Sequence, residues 1–199
     1  SGKVLSTHKV SSKPSPAKAA PVEVMFSPNA NPPVVHITNM LEGTLWAGVW
    51  DPASRTFSFH QVDDFGSRQQ GMPLEMLYNA KGDRLFVTTA KPGFVNLYDN
   101  SDPRQPKFLK TIAAAGGAHH SVLSPDERYL YLSALQKMMR YEVRPDGSLG
   151  AGSVFTEGPG IGDGMKVDVQ GNVYSTSGAG PGRVRITAPS GTLLGFVNL

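Results

Sequence analysis

The chain of 199 residues contains no cysteine. That excludes disulfides, a thiolate nucleophile and any zinc–thiolate centre. It fits an exported protein, and a periplasmic or secreted location is the expectation drawn from it. Charged residues are scarce, at 18%, and the formal net charge is only +3. Lys3, Lys9, Lys13 and Lys18 gather in the first eighteen residues with no acid among them. No basic cluster is interleaved with aromatics, which argues against a nucleic-acid partner. No apolar run approaches the ~20 residues that cross a bilayer, so no membrane span is expected. Residues 1–20 lack the apolar core of a secretory signal, which a mature chain would have lost. There is no Gly-x-Ser-x-Gly elbow, so serine-hydrolase chemistry is not supported. GAGPG (178–182) has no helix after it and reads as a hairpin loop, not a phosphate cradle.

What is abundant is Gly, at 22, and Pro, at 16, which favours many short strands joined by turns. These strands repeat. PLEMLYNAKGDRLFVTT (73–89), HHSVLSPDERYLYLS (119–133) and GMKVDVQGNVYSTS (164–177) share one plan of apolar strand, polar turn, apolar strand. Their turn positions Arg84, Arg128 and Asn172 each fall 44 residues after the last. PVEVMFSPNANPPVVHIT (21–38) is an earlier copy with longer loops. DPASR, AKGD, SPDE and RPDG are turns in which Pro presets φ, Asp caps the turn and Gly takes φ > 0. Four alternating runs per unit at this period predict an all-β fold, a β-propeller of four four-stranded blades at 21–63, 71–113, 118–156 and 162–199.

The two ends also match. SGKVLSTHKV (1–10) parallels SGTLLGFVNL (190–199), the outer strand of the last unit. It is therefore expected to be a seventeenth strand, the outer strand of a preceding blade. SSKPSPAKAAP (11–21) would then connect the blades. The expectation is a partial propeller, 1–199, within a six- to eight-bladed ring, the rest supplied by a second chain or a missing segment.

Propeller ligands sit at the central channel, at the start of each innermost strand. The windows there are Ala20–Val22, Gly71–Pro73, Ala118–His120 and Gly162–Gly164. His119 and His120 are candidate catalytic groups, since imidazole serves both as acid/base and as metal ligand. Adjacent strand residues point to opposite faces, a rule that relaxes at the first residue of a strand. Asp163, set among glycines, suits a divalent cation, or else caps a turn. Asp168 reads as a structural turn residue. His36 reads as a surface or blade-packing residue and His60 as solvated. Thioethers favour copper, yet the seven methionines are scattered and Met is a common core filler; only Met72 and Met165 fall near the channel.

GIGDGMKVDVQGNVYSTSGAGPGRVRITAPSGTLLGFVNL resembles a blade of the gluconolactonase/senescence marker protein family. The resemblance implies a divalent-metal ligand at Asp163. His119 stands where that family has a ligand Asn, which would suit a transition metal better than Ca²⁺. AHHSVLSPDERYLYLSALQKMMRYEVRPDGSLG is similar to the seven-bladed lactonases related to 6-phosphogluconolactonase. PVEVMFSPN and DRLFVTTAKPGFVNLYDNSDPRQPKFLKTI resemble the selenium-binding protein/methanethiol oxidase family, which implies copper-dependent oxidation. The leading expectation is a lactonase-like hydrolase acting on a small molecule, with a divalent metal, Ca²⁺ or a transition ion, on His119 and Asp163. A copper oxidase using histidines and a non-catalytic binding scaffold are the alternatives.

Overall fold

The computed structural model describes residues 2–4, 6–14, 19–158, 162–176 and 182–199. Among these residues, sixteen strands form four antiparallel sheets, each meandering in chain order. The first blade holds β1 (Pro21–Phe26), β2 (Val34–Asn39), β3 (Thr44–Asp51) and β4 (Thr56–Asp64). The second holds β5 (Gly71–Tyr78), β6 (Arg84–Lys91), β7 (Phe94–Asp99) and β8 (Lys107–Ala113). The third holds β9 (Ala118–Leu123), β10 (Tyr129–Ala134), β11 (Lys137–Glu142) and β12 (Ser153–Glu157). The fourth holds β13 (Met165–Val167), β14 (Val173–Thr176), β15 (Arg183–Thr187) and β16 (Leu193–Asn198). The first strand of each blade packs on its predecessor: β5 on β1 and β2, β9 on β5 and β6, β13 on β9. This is the β-propeller the repeat predicts, with the first strands innermost.

The core lies between blades. Leu45, Phe65, Met76, Tyr78, Leu85, Val87 and Tyr98 fill the space between the first and second. Phe86, Leu97, Leu130, Leu132 and Tyr141 join the second to the third. Tyr131, Met138, Phe155, Met165 and Val173 join the third to the fourth. Each fully buried leucine here is worth about 1.5–3 kcal/mol of transfer free energy. The buried methionines Met76, Met138 and Met165 are thus core fillers. His36 also packs between blades: it is fully buried, and its Nε2–H donates to the Pro103 carbonyl at 2.8 Å. Its Nδ1 accepts from the Tyr78 hydroxyl at 2.5 Å. Burial lowers its pKa to about 4. His60, expected to be solvated, is only partly exposed and donates Nε2–H to the Arg104 carbonyl at 2.9 Å.

The N-terminal segment departs from expectation. The described residues of 1–10 adopt no strand. An outer strand needs the third strand of its own blade as a neighbour, and among the described residues that partner is missing. The segment instead lies across the first blade: Val10 packs with Val35, Ile37 and Trp46, the His8 ring sits 5.1 Å from that of Phe59, and the Asn39 amide donates to the Val10 carbonyl at 2.8 Å. Residues 15–18 of the expected connector, and 178–181 of GAGPG, lie outside the described residues.

Candidate functional site at the channel

Three of the four innermost strands break register near their starts. The pairing of β1, β5 and β9 with the following strand slips between Pro21 and Val24, between Pro73 and Met76, and opposite Leu132–Ala134. Two residues then oppose one, as in a β-bulge: Val22–Glu23 face Thr38, Leu74–Glu75 face Thr88, and His119–His120 face Ser133. The single residue is a hydroxyl amino acid every time, because the bulge frees a backbone N–H that needs an acceptor. Thr38 Oγ1 accepts from Glu23 N at 3.3 Å, Thr88 Oγ1 from Glu75 N at 3.1 Å and Ser133 Oγ from His120 N at 3.1 Å. In the fourth blade Thr176 Oγ1 accepts from Gly164 N at 2.8 Å. The last three hydroxyls donate back to the carbonyls of Glu75, His120 and Gly164.

The bulges decide which side chains meet. Strict alternation lapses at His119–His120, and both rings reach one carboxylate. His120 Nδ1 touches Glu75 Oε2, while His119 Nδ1 lies 3.5 Å from Glu75 Oε1 and 3.7 Å from Asp163 Oδ1. One ligand atom from each of Glu75, His119 and Asp163 falls within 4.8 Å of the other two. Glu75 is 15% exposed, His119 30% and Asp163 74%. His119 Nδ1 is buried with no hydrogen-bond partner. A third acid stands behind them: Glu23 accepts the Met76 N–H. Burial, reinforced by the Glu75 charge, pushes its pKa up to about 7 against the lowering pull of that hydrogen bond. A pocket of about 380 Å³ opens beside the group, lined by Gly117, His119, Ser133, Leu135, Gly162 and Asp163.

The structure therefore brings His119, His120 and Asp163 together, and adds Glu75 and Glu23, which the channel windows missed. Those windows counted from the strand start. Counting back from the hydroxyl on the second strand finds Glu23, Glu75, His120 and Gly164 directly, so the Thr/Ser in VVHITN, LFVTTA, LYLSA and VYST was the available signal. Asp168 is a turn residue as expected: its Oδ1 accepts from Gln170 N and Asn172 N at 3.0 and 2.8 Å. Hydrogen bonding from Asn172 holds its pKa below the usual value.

No family model matches the chain. A gluconolactonase of Zymomonas mobilis is 27% identical over 173 residues, covering 74% of this chain and 47% of that protein. The periplasmic gluconolactonase of Pseudomonas aeruginosa superposes with a TM-score of 0.69 at 18% identity, covering 91% of this chain and 55% of its own. Hydrazine synthase of Kuenenia stuttgartiensis superposes over 100% of this chain and 53% of its own, with a TM-score of 0.68 and 15% identity. The chain is thus a β-propeller with a lactonase-like relative, and it spans about half the length of the proteins it matches. A propeller alone does not fix chemistry; the gluconolactonase match and the channel group bear on that. These matches do not carry the resemblance to the methanethiol oxidases.

Proposed function

We propose that this protein hydrolyses a lactone at the channel, with a divalent cation held by Glu75, His119 and Asp163. The observation that carries the reading is the convergence of these groups from three blades around a buried imidazole nitrogen that lacks a hydrogen bond. The donor set fits. Ligands bound at about 2.0–2.2 Å lie about 3.0–3.5 Å apart; the two separations from His119 Nδ1, 3.5 and 3.7 Å, are close to this, and all three ligand atoms lie within 4.8 Å of one another. Two carboxylates balance a double charge, and the imidazole moves the preference from Ca²⁺ toward a transition ion. Such an ion supplies a Lewis acid that polarises the lactone carbonyl.

The chain's own residues do the rest. Glu75 Oε2 lies against His120 Nδ1; with the proton on Nδ1, a carboxylate placed there would orient the ring and leave Nε2 free of hydrogen, as carboxylates behind histidines do. That nitrogen takes a proton from the attacking water as the new C–O bond forms at the carbonyl carbon. The ring C–O bond then breaks, and the proton passes to the departing oxygen to give the hydroxy acid.

The channel of this reading is completed by further blades, from a second chain or more of the polypeptide. In support, Val24 and Phe26 on the first blade are 59% and 62% exposed, where the same positions on the second blade, Met76 and Tyr78, are 4% and 8% exposed. An exported, periplasmic setting belongs to the same proposal. No helix among the described residues is long and apolar enough to cross a membrane.

The test is lactone hydrolysis by the purified protein, followed by acid release, before and after chelation and after re-addition of Mn²⁺ or Zn²⁺. The proposal expects activity that chelation removes and the ion restores. Hydrolysis indifferent to chelation rejects the cation, and no hydrolysis of any lactone leaves the binding-scaffold alternative.

A further inference from the structure

Leu135 is an unusual residue for its place. It is 74% exposed at the rim of the channel, on the turn between β10 and β11. Its backbone is left-handed, with φ 56°, a conformation that L-residues other than Asn, Asp and Gly seldom adopt. Backbone held this way clusters at ligand-binding positions. The neighbouring chain makes room for it: a Cβ on Gly117 would lie 2.7 Å from Leu135 Cγ. Leu135 shares the 380 Å³ pocket with His119 and Asp163.

The remaining wall offers little to a polar ligand. Gly117 and Gly162 carry no side chain, and the Ser133 hydroxyl is committed to both the N–H and the carbonyl of His120. Among the described residues, polar side chains free for a ligand in this pocket are thus confined to His119 and Asp163, and the surface beside them is leucine and glycine backbone. A polyhydroxylated ring would set hydroxyls against leucine there, with only His119 and Asp163, which the reading above commits to the cation, as side-chain partners among the described residues. An alkyl chain would lose nothing.

Resting on the lactonase reading above, we infer that the preferred substrate is a lactone bearing an alkyl substituent, which packs on Leu135, rather than a sugar lactone. The experiment compares kcat/KM for δ-decalactone and glucono-δ-lactone in the wild type, in Leu135→Asn and in Leu41→Asn. Leu41 is an exposed leucine (60%) on the corresponding turn of the first blade and lies outside the pocket. The wild type prefers decalactone. Leu135→Asn lowers that preference about tenfold, chiefly through KM, the scale expected of an apolar pocket contact. Leu41→Asn leaves it unchanged. Asn accepts φ > 0, so Leu135→Asn keeps or raises Tm. Preference for the sugar lactone, or a ratio that ignores Leu135→Asn, overturns the inference while the lactonase reading stands. If neither lactone is hydrolysed the lactonase reading fails, and calorimetric binding of δ-decalactone decides the pocket. Binding weakened about tenfold by Leu135→Asn keeps the apolar subsite, and absent or insensitive binding ends it.

Discussion

The two ends of each blade use the same side chains differently. At the end away from the channel mouth, three aspartates serve their own turns. Asp126 accepts from the Ser124 hydroxyl and Arg128 N, Asp146 from Ser148 N, and Asp168 from Gln170 N and Asn172 N. Local hydrogen bonds hold all three below the usual carboxylate range. At the channel mouth the carboxylates look outward from their blades. Glu23 reaches Met76 of the next blade, and Glu75 reaches His119 and His120 of the next. A carboxylate bound by its own turn is structure, whereas one directed across blades toward unpaired nitrogen is available for chemistry. That difference, and not residue type, separates Asp163 from Asp168, five residues apart.

Substitution can break the contrast. The largest effect is expected from Glu75→Ala, which removes a cation ligand and the support of His120 together: lactone hydrolysis should fall roughly a hundredfold or more, with little change in Tm. The buried histidine gives the next effect. Its pKa is about 4 when folded against 6.5 when unfolded, so the unfolded chain binds the extra proton between those values. Stability is complete above pH 6.5 and declines as pH falls toward 4, by about 3 kcal/mol for His36 alone. Denaturant midpoints across that range should show the decline, and His36→Gln should flatten it. Thr88→Val leaves Glu75 N without its acceptor and should cost about 1–3 kcal/mol, with reduced activity because the bulge carrying Glu75 loosens. Asp168→Ala sharpens the contrast from the other side: Tm falls modestly and kcat/KM does not change.

The blades were legible because their turns are chemically explicit. The 44-residue spacing of Arg84, Arg128 and Asn172 marks equivalent corners, and alternating apolar positions supply the strands between them. His119, His120 and Asp163 were legible because each stands at a strand mouth. Glu75 was not, because the bulge moves the channel-facing residue deeper into the strand, a shift that strict alternation hides. The likeness of SGKVLSTHKV to the last outer strand was real as a pattern. A strand also needs a partner, and Val10 found the apolar face of the first blade instead. The conformation of Leu135 was beyond reach of pattern altogether, since nothing in ALQK requires a left-handed leucine.

The most direct test of the channel site is calorimetric titration of the purified protein and of His119→Ala with Zn²⁺ or Mn²⁺ at neutral pH. The account predicts one cation per chain in the wild type and affinity at least tenfold weaker in the variant, with Tm of the cation-free forms nearly equal. No binding, or binding that His119→Ala leaves unchanged, contradicts it.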